Sequence, residues 1–201
     1  MKSRDAANTE PARCGWCGSD PLYIAYHDNE WGVPSHDEAH LFEMLILEGL
    51  QAGLSWLTIL KKRAALRQAL AGFDPERLAR FTPRDIERLL TDPRIVRNRA
   101  KLEAVVNNAR AFLDLREKEG DFPAFVWSFV GGRPRQHHFT TLAALPTQSA
   151  ESRAMARALA ARGFRFCGPI ICYAYMQAVG MVNDHLVTCP RHGEIAALSV
   201  Q

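Results

Sequence analysis

Apolar residues recur along this chain at spacings of three and four, the pattern of helices that each hide one face. Over residues 98–118 the stripe is Leu102, Val105, Val106, Ala109, Phe112 and Leu113. Residues 36–51 are Leu-rich and almost continuously apolar, with Ser35 standing where a cap would. A helix over 55–70 follows Gly53. Asp74-Pro75 and Thr82-Pro83 each put a capping residue before a proline at the first helical position. Asp85 lies three residues after Thr82, as a capping box requires. Residues 122–130 read as a short aromatic helix before Gly131-Gly132, 149–162 as a helix that stops at Gly163, and 168–180 as another. Alternating, β-branched segments are nearly absent. The pattern predicts an all-α chain of eight or more short helices without a repeat of fixed period.

Gly163-Phe-Arg-Phe-Cys-Gly168 joins the last two of these helices. Glycines at both ends of so short a turn suit a helix-hairpin-helix. Its backbone N–H groups can converge on an anion such as a DNA phosphate. An ordinary helix-helix connection is the plainer reading of the same residues.

The 201 residues suffice for one sizeable domain, or two small lobes on a shared core. The expected division is a disordered extension over 1–12, a helical domain over 13–195 and a tail over 196–201. No run of 18 apolar residues occurs, so no membrane span is expected. The polar start has no signal-peptide core, which makes the cytosol the expected location. A net charge of +3 permits nucleic-acid binding without arguing for it. Basic residues gather at 61–63, at Arg94, Arg97, Arg99 and Lys101, and at Arg153, Arg157, Arg162 and Arg165, where solvated surface is the plain expectation.

Five cysteines, Cys14, Cys17, Cys167, Cys172 and Cys189, make an odd count in a reducing compartment. Metal ligation or burial fits that better than a disulfide framework. Cys14 and Cys17 are three apart, and His185 and Cys189 four apart, with His27 and His192 as further nitrogen donors. A closed tetrahedral zinc site could use Cys14, Cys17, His185 and Cys189, or Cys14, His27, His185 and Cys189. Either set would fasten the N-terminal segment to the C-terminal one, where ends otherwise fray.

Two further groups carry chemistry. Trp16, Tyr23, Tyr26 and Trp31 crowd a short polar stretch, with Trp56 further on. Such a set of π faces suits a flat cation, although core aromatics with satisfied polar tips are the simpler account. Glu48 falls on the apolar side of its helix, with Glu43 read as the solvent-side acid. A buried carboxylate is costly unless it is paired or used.

Arg13-Cys-Gly-Trp16, the string from Asp20 to Pro34, Leu41-Phe-Glu-Met44 and Gln51-Ala-Gly-Leu-Ser-Trp56 resemble the 3-methyladenine DNA glycosylase I (Tag-type) family. So do Phe125-Val-Trp-Ser-Phe-Val130, Arg162 to Gly168, and Met176 to His185, and the likeness spans roughly residues 13–190. The resemblance implies a divergent helix-hairpin-helix glycosylase with one structural zinc on Cys14, His27, His185 and Cys189, which leaves out Cys17 and His192. It implies a base pocket of Glu48, Tyr26 and Trp56 with Trp16 and Tyr23 nearby, Glu48 being the catalytic carboxylate. The hairpin that would meet DNA falls on Gly163, Phe164, Arg165 and Gly168; separately, the loop at Gly53-Leu54 is a candidate wedge, with Leu54 filling the gap left in the duplex. Related glycosylases place an aspartate after the hairpin; here Asn183 stands there, and Asp184, one position on, is expected to point elsewhere along a helix. The implied activity is monofunctional release of 3-methyladenine from double-stranded DNA by a monomer. A zinc-fastened binding module and a zinc hydrolase are the other classes that the residues admit.

Overall fold

A computed structural model describes residues 12–198. The expected N-terminal extension lies outside the described residues but for Ala12. Ten α-helices among the described residues account for the architecture: α1 (Pro21–Asn29), α2 (Glu38–Gln51), α3 (Trp56–Ala69), α4 (Pro75–Ala79), α5 (Pro83–Thr91), α6 (Arg99–Glu119), α7 (Phe122–Ser128), α8 (Ala150–Ala161), α9 (Pro169–Ala178) and α10 (Pro190–Leu198). The only sheet among the described residues pairs β1 (Arg135–Gln136) with β2 (Val182–Asn183) in parallel.

Helix α2 is the centre. Leu41, Phe42, Met44, Leu45, Ile46, Leu47 and Leu50 are all buried, so it is covered on every side, by α3, α6, α7 and α9. Truncating one such leucine to alanine costs about 2–5 kcal/mol in a packed interior. Its cap is Asp37, whose carboxylate accepts from the His40 N–H at 2.6 Å; the expected cap, Ser35, instead accepts from the Asp37 N–H. Ser55, Asp74, Asn98 and Ser149 cap α3, α4, α6 and α8, and Asp85 accepts from the Thr82 N–H at 2.9 Å at the head of α5.

Helices α8 and α9 pack together across residues 163–168, giving the expected helix-hairpin-helix. Gly163 takes φ +83°, the left-handed turn that ends α8, and Gly168 caps α9. At Gly180 a Cβ would lie 2.3 Å from the Pro34 nitrogen, so only glycine lets the strand leading to His185 pass the 33–34 backbone. Two helices were not expected, α1 and α10, and α10 runs to Leu198, into the expected tail. Residues 182–185 belong to β2 and the loop after it rather than to a helix. Among the described residues, no helix is long and apolar enough to cross a membrane.

Candidate active site and metal centre

Helix α2 delivers Glu48 to a cavity of about 210 Å³ walled by Trp16, Tyr23, Tyr26, Trp31 and Trp56. Four of these rings come from α1 and its flanks, and Trp56 opens α3. Tyr26 and Trp56 lie 5.4 Å apart between centroids, Trp16 and Tyr23 5.1 Å, and Trp16 and Trp31 4.8 Å. None of these pairs is a closed face-to-face stack, so a flat ring can enter among them. Glu48 is 4% exposed and has no hydrogen-bond partner among the described residues. Burial alone pushes its carboxyl up to about 8. The indole N–H groups of Trp16 and Trp56 are likewise buried without acceptors. The cavity therefore keeps one acid that no protein group satisfies.

Gln51, Leu145, Ala174 and Gln177 complete the lining and were not expected. Gln51 could have been found, because it follows Glu48 by three on the same helix. Leu145 and Gln177 arrive from distant segments without a local signal. Gln177 is held by Asp184, whose carboxylate accepts from the Gln177 amide at 2.7 Å and from the Tyr173 hydroxyl at 2.7 Å, with the His137 ring at 2.6 Å. Asp184 is thus a buried organiser behind the cavity, not a residue turned away along a helix. Glu43 also departs from expectation: it is buried and paired with Arg63 at 2.7 Å and Arg67 at 2.8 Å.

Behind the aromatic wall, Cys14, His27, His185 and Cys189 bring one donor atom each to within 4.8 Å of one another, all buried. Cys14 Sγ is 3.6 Å from His185 Nδ1, and Cys189 Sγ is 3.7 Å from His27 Nε2. Tetrahedral bonds of zinc to sulfur and nitrogen give ligand–ligand edges of roughly 3.3–3.8 Å. The remaining ring nitrogens are used as metal-binding histidines use them: His27 Nδ1 meets Asp28 at 2.7 Å, and His185 Nε2 meets the Trp31 carbonyl at 3.0 Å. Burial drives the Cys14 thiol up to about 12 and His185 down to about 4. The imidazole lone pair is therefore free, and a cation would be needed to draw the proton from sulfur. These four residues could hold a metal ion. Cys17 is buried outside the group, and His192 is bound to the His137 carbonyl at 2.7 Å, so the alternative built on Cys17 is not the one the fold assembles.

The hairpin presents a different surface. Phe164, one of the hairpin residues expected to meet DNA, has its side chain buried, while Phe166 (39% exposed) and Ile170 (59%) face out. Arg153 and Arg157 flank the groove beside it. Among the described residues Arg153, Arg157 and Arg165 make no ion pair, whereas Arg162 is taken by Glu119. Leu54 stands in the loop after α2, two residues before the cavity-lining Trp56, and is 37% exposed.

Fold and cavity together are those of a helix-hairpin-helix protein with an aromatic pocket around a buried acid. The comparisons narrow this. The profile of the methyladenine glycosylase family matches residues 16–192. A curated relative, DNA-3-methyladenine glycosylase 1 of Escherichia coli K12, is 52% identical over 177 residues, 88% of this chain and 95% of that protein. A crystal structure of 3-methyladenine DNA glycosylase I superposes with a TM-score of 0.88 at 51% identity, covering 89% of this chain and 98% of the other. Another 3-methyladenine DNA glycosylase I, crystallised in complex with 3-methyladenine, gives 0.86 at 40% identity, covering 89% and 96%. The chain belongs to the methyladenine glycosylase family.

Proposed function

We propose that this chain hydrolyses the N-glycosidic bond of 3-methyladenine in alkylated duplex DNA, releasing the free base and leaving an abasic site. The observation that carries this is Glu48, buried without a partner in a cavity with five aromatic residues in its wall.

Methylation at N3 makes the base a cation. When the C1′–N9 bond breaks, the base leaves with the electron pair as a neutral molecule, and water adds to C1′ and loses a proton. The leaving group needs no proton, so selection and extrusion become the main tasks. Extrusion costs a few kcal/mol and least for a damaged base. Within the cavity a cationic ring over Trp56 and Tyr26, with Trp16 and Tyr23 beside it, gains about 0.5–2 kcal/mol of cation–π attraction. Its positive charge restores the ionised form of Glu48, which then accepts from the exocyclic amine as a charge-assisted bond. Neutral adenine offers the amine but no charge, so the cost of ionising a buried carboxyl stays uncompensated.

Cys14, His27, His185 and Cys189 hold one structural zinc in this reading. A closed set of four protein ligands leaves no open position for chemistry, so the ion fastens the fold. The hairpin residues Gly163, Arg165 and Gly168 meet a DNA phosphate, with Arg153 and Arg157 extending the cationic track, and Leu54 fills the space that the extruded base leaves. The described helices act as a single domain over 13–195, monomeric and cytoplasmic.

The decisive experiment measures base release from methylated duplex DNA by chromatography, with wild type beside Glu48→Gln. Release of 3-methyladenine by wild type, reduced about a hundredfold in the variant, is the expected result. A folded wild type that binds the duplex and releases nothing would leave a binding module in place of an enzyme.

A further inference from the structure

Lys101 is the one lysine among the described residues that is buried, at 8% exposure, and no carboxylate reaches it. Its Nζ instead donates to two backbone carbonyls, Leu50 O at 2.8 Å and Ala52 O at 2.5 Å. Burial lowers its pKa, as the desolvation of an unpaired cation must. An ammonium in that place is an expensive way to fill volume, which a methionine would fill without the cost. It is an efficient way to hold the last carbonyls of α2, and with them the loop over 52–55 that carries Leu54.

Seven residues on, at the same face of α6, Asn108 does the equivalent for the hairpin. Its amide accepts from the Arg165 N–H at 2.8 Å and donates to the Arg165 carbonyl at 2.9 Å. Asn107 adds a bond to the Gly163 carbonyl at 2.6 Å. Between these two clamps α2 itself meets the hairpin. A Cβ on Gly49 would lie 3.4 Å from both Phe166 Cβ and the Phe166 carbonyl, so the residue beside Glu48 touches the turn directly. The space left among Gly49, Lys101, Asn108 and Phe166 is about 10 Å³, too tight for a loosely held water.

We propose that Lys101 and Asn108 are positioning residues: α6 uses them to lock the 52–55 loop and the 163–168 hairpin into one frame with Glu48. Seating the hairpin on a phosphate then brings Leu54 to the duplex in register with the cavity. This rests on the glycosylase reading above. In that reading the cavity residues touch the base, whereas Lys101 hydrogen-bonds only backbone carbonyls and acts by fixing where the wedge stands when the base leaves the stack.

The test compares two duplexes, one matched and one with an abasic site opposite the lesion, where extrusion breaks no pairing and the wedge matters less. Their ratio of release rates is independent of how much protein is folded. Lys101→Met is expected to lower kcat on the matched duplex about tenfold and on the gapped one less than about threefold. Asn108→Ala is expected to raise KM on both about tenfold with kcat within about twofold. Equal losses on both duplexes for Lys101→Met, or no loss on the matched one, would overturn the wedge assignment, and an unchanged KM for Asn108→Ala the hairpin assignment. A wild type inactive on both duplexes would instead sink the glycosylase reading, and the frame with it.

Discussion

Glu48 gives the site its sharpest residue-scale consequence, because its folded pKa of about 8 stands well above the usual carboxylate value. A raised pKa means that this group's contribution to stability is fully present below about pH 4.5 and is lost as pH rises through about 8. Glu48→Gln removes the titration. Its unfolding free energy relative to wild type, followed by denaturation at each pH, is therefore expected to rise between pH 5 and 8, on the order of a few kcal/mol. A difference that stays flat with pH would mean that Glu48 is ionised in the free protein. Catalysis should show the same group. In the free enzyme ionisation lies near 8, so kcat/KM is expected to climb toward that pH. With a cationic base bound the limb in kcat should move to lower pH, and coincident limbs would rule out direct contact between Glu48 and the charge. Glu48 was legible in the sequence because it interrupts an apolar run. Glu43, on the same helix, was misread because its partners Arg63 and Arg67 sit on α3, and nothing local announces them.

At the scale of elements, legibility followed the apolar stripe. Helices α2 and α6 hide a wide face in the core, and their apolar positions show it. Helix α1 escaped because its inward residues, Tyr26 and His27, serve the cavity and the metal centre rather than the core, so polar and aromatic residues stand where a stripe would be. Helix α10 buries only Ile195, too little for a pattern. The β1–β2 pair is two residues long on each side, below what alternation can reveal. One prediction belongs here. Gly180 has φ +75° and backbone 2.3 Å from where a Cβ would stand, in a segment that leads to both Asp184 and His185. Gly180→Ala is expected to cost more than about 3 kcal/mol in chemical denaturation, since strain and overpacking add. A loss below about 1 kcal/mol would show that the 33–34 backbone yields, and that this crossing does not set the position of the loop.

Over the whole molecule, the cluster of Cys14, His27, His185 and Cys189 and the aromatic cavity are two sides of one wall. Trp16 packs 5.3 Å from the His27 ring, and Trp31 packs 4.6 Å from His185, while both tryptophans face the cavity. The four donors come from two ends of the chain, residues 14 and 27 on one side and 185 and 189 on the other. An ion bound only by the folded arrangement stabilises it by mass action, about 4 kcal/mol when free metal is a thousandfold above its dissociation constant. Losing the ion should therefore do two things at once: loosen the ends, and let the indoles that define the cavity shift. Cys14→Ser is expected to bind less than one equivalent of zinc, to melt lower than wild type, and to bind free 3-methyladenine more weakly even at a temperature where it stays folded. Cys17→Ser, outside the cluster, should keep all three properties. Metal content by atomic absorption, calorimetric melting and tryptophan fluorescence titration with 3-methyladenine check them separately. If Cys14→Ser lost zinc and stability but bound the base as tightly as wild type, the wall would be rigid without the ion, and the centre would serve only to fasten the ends.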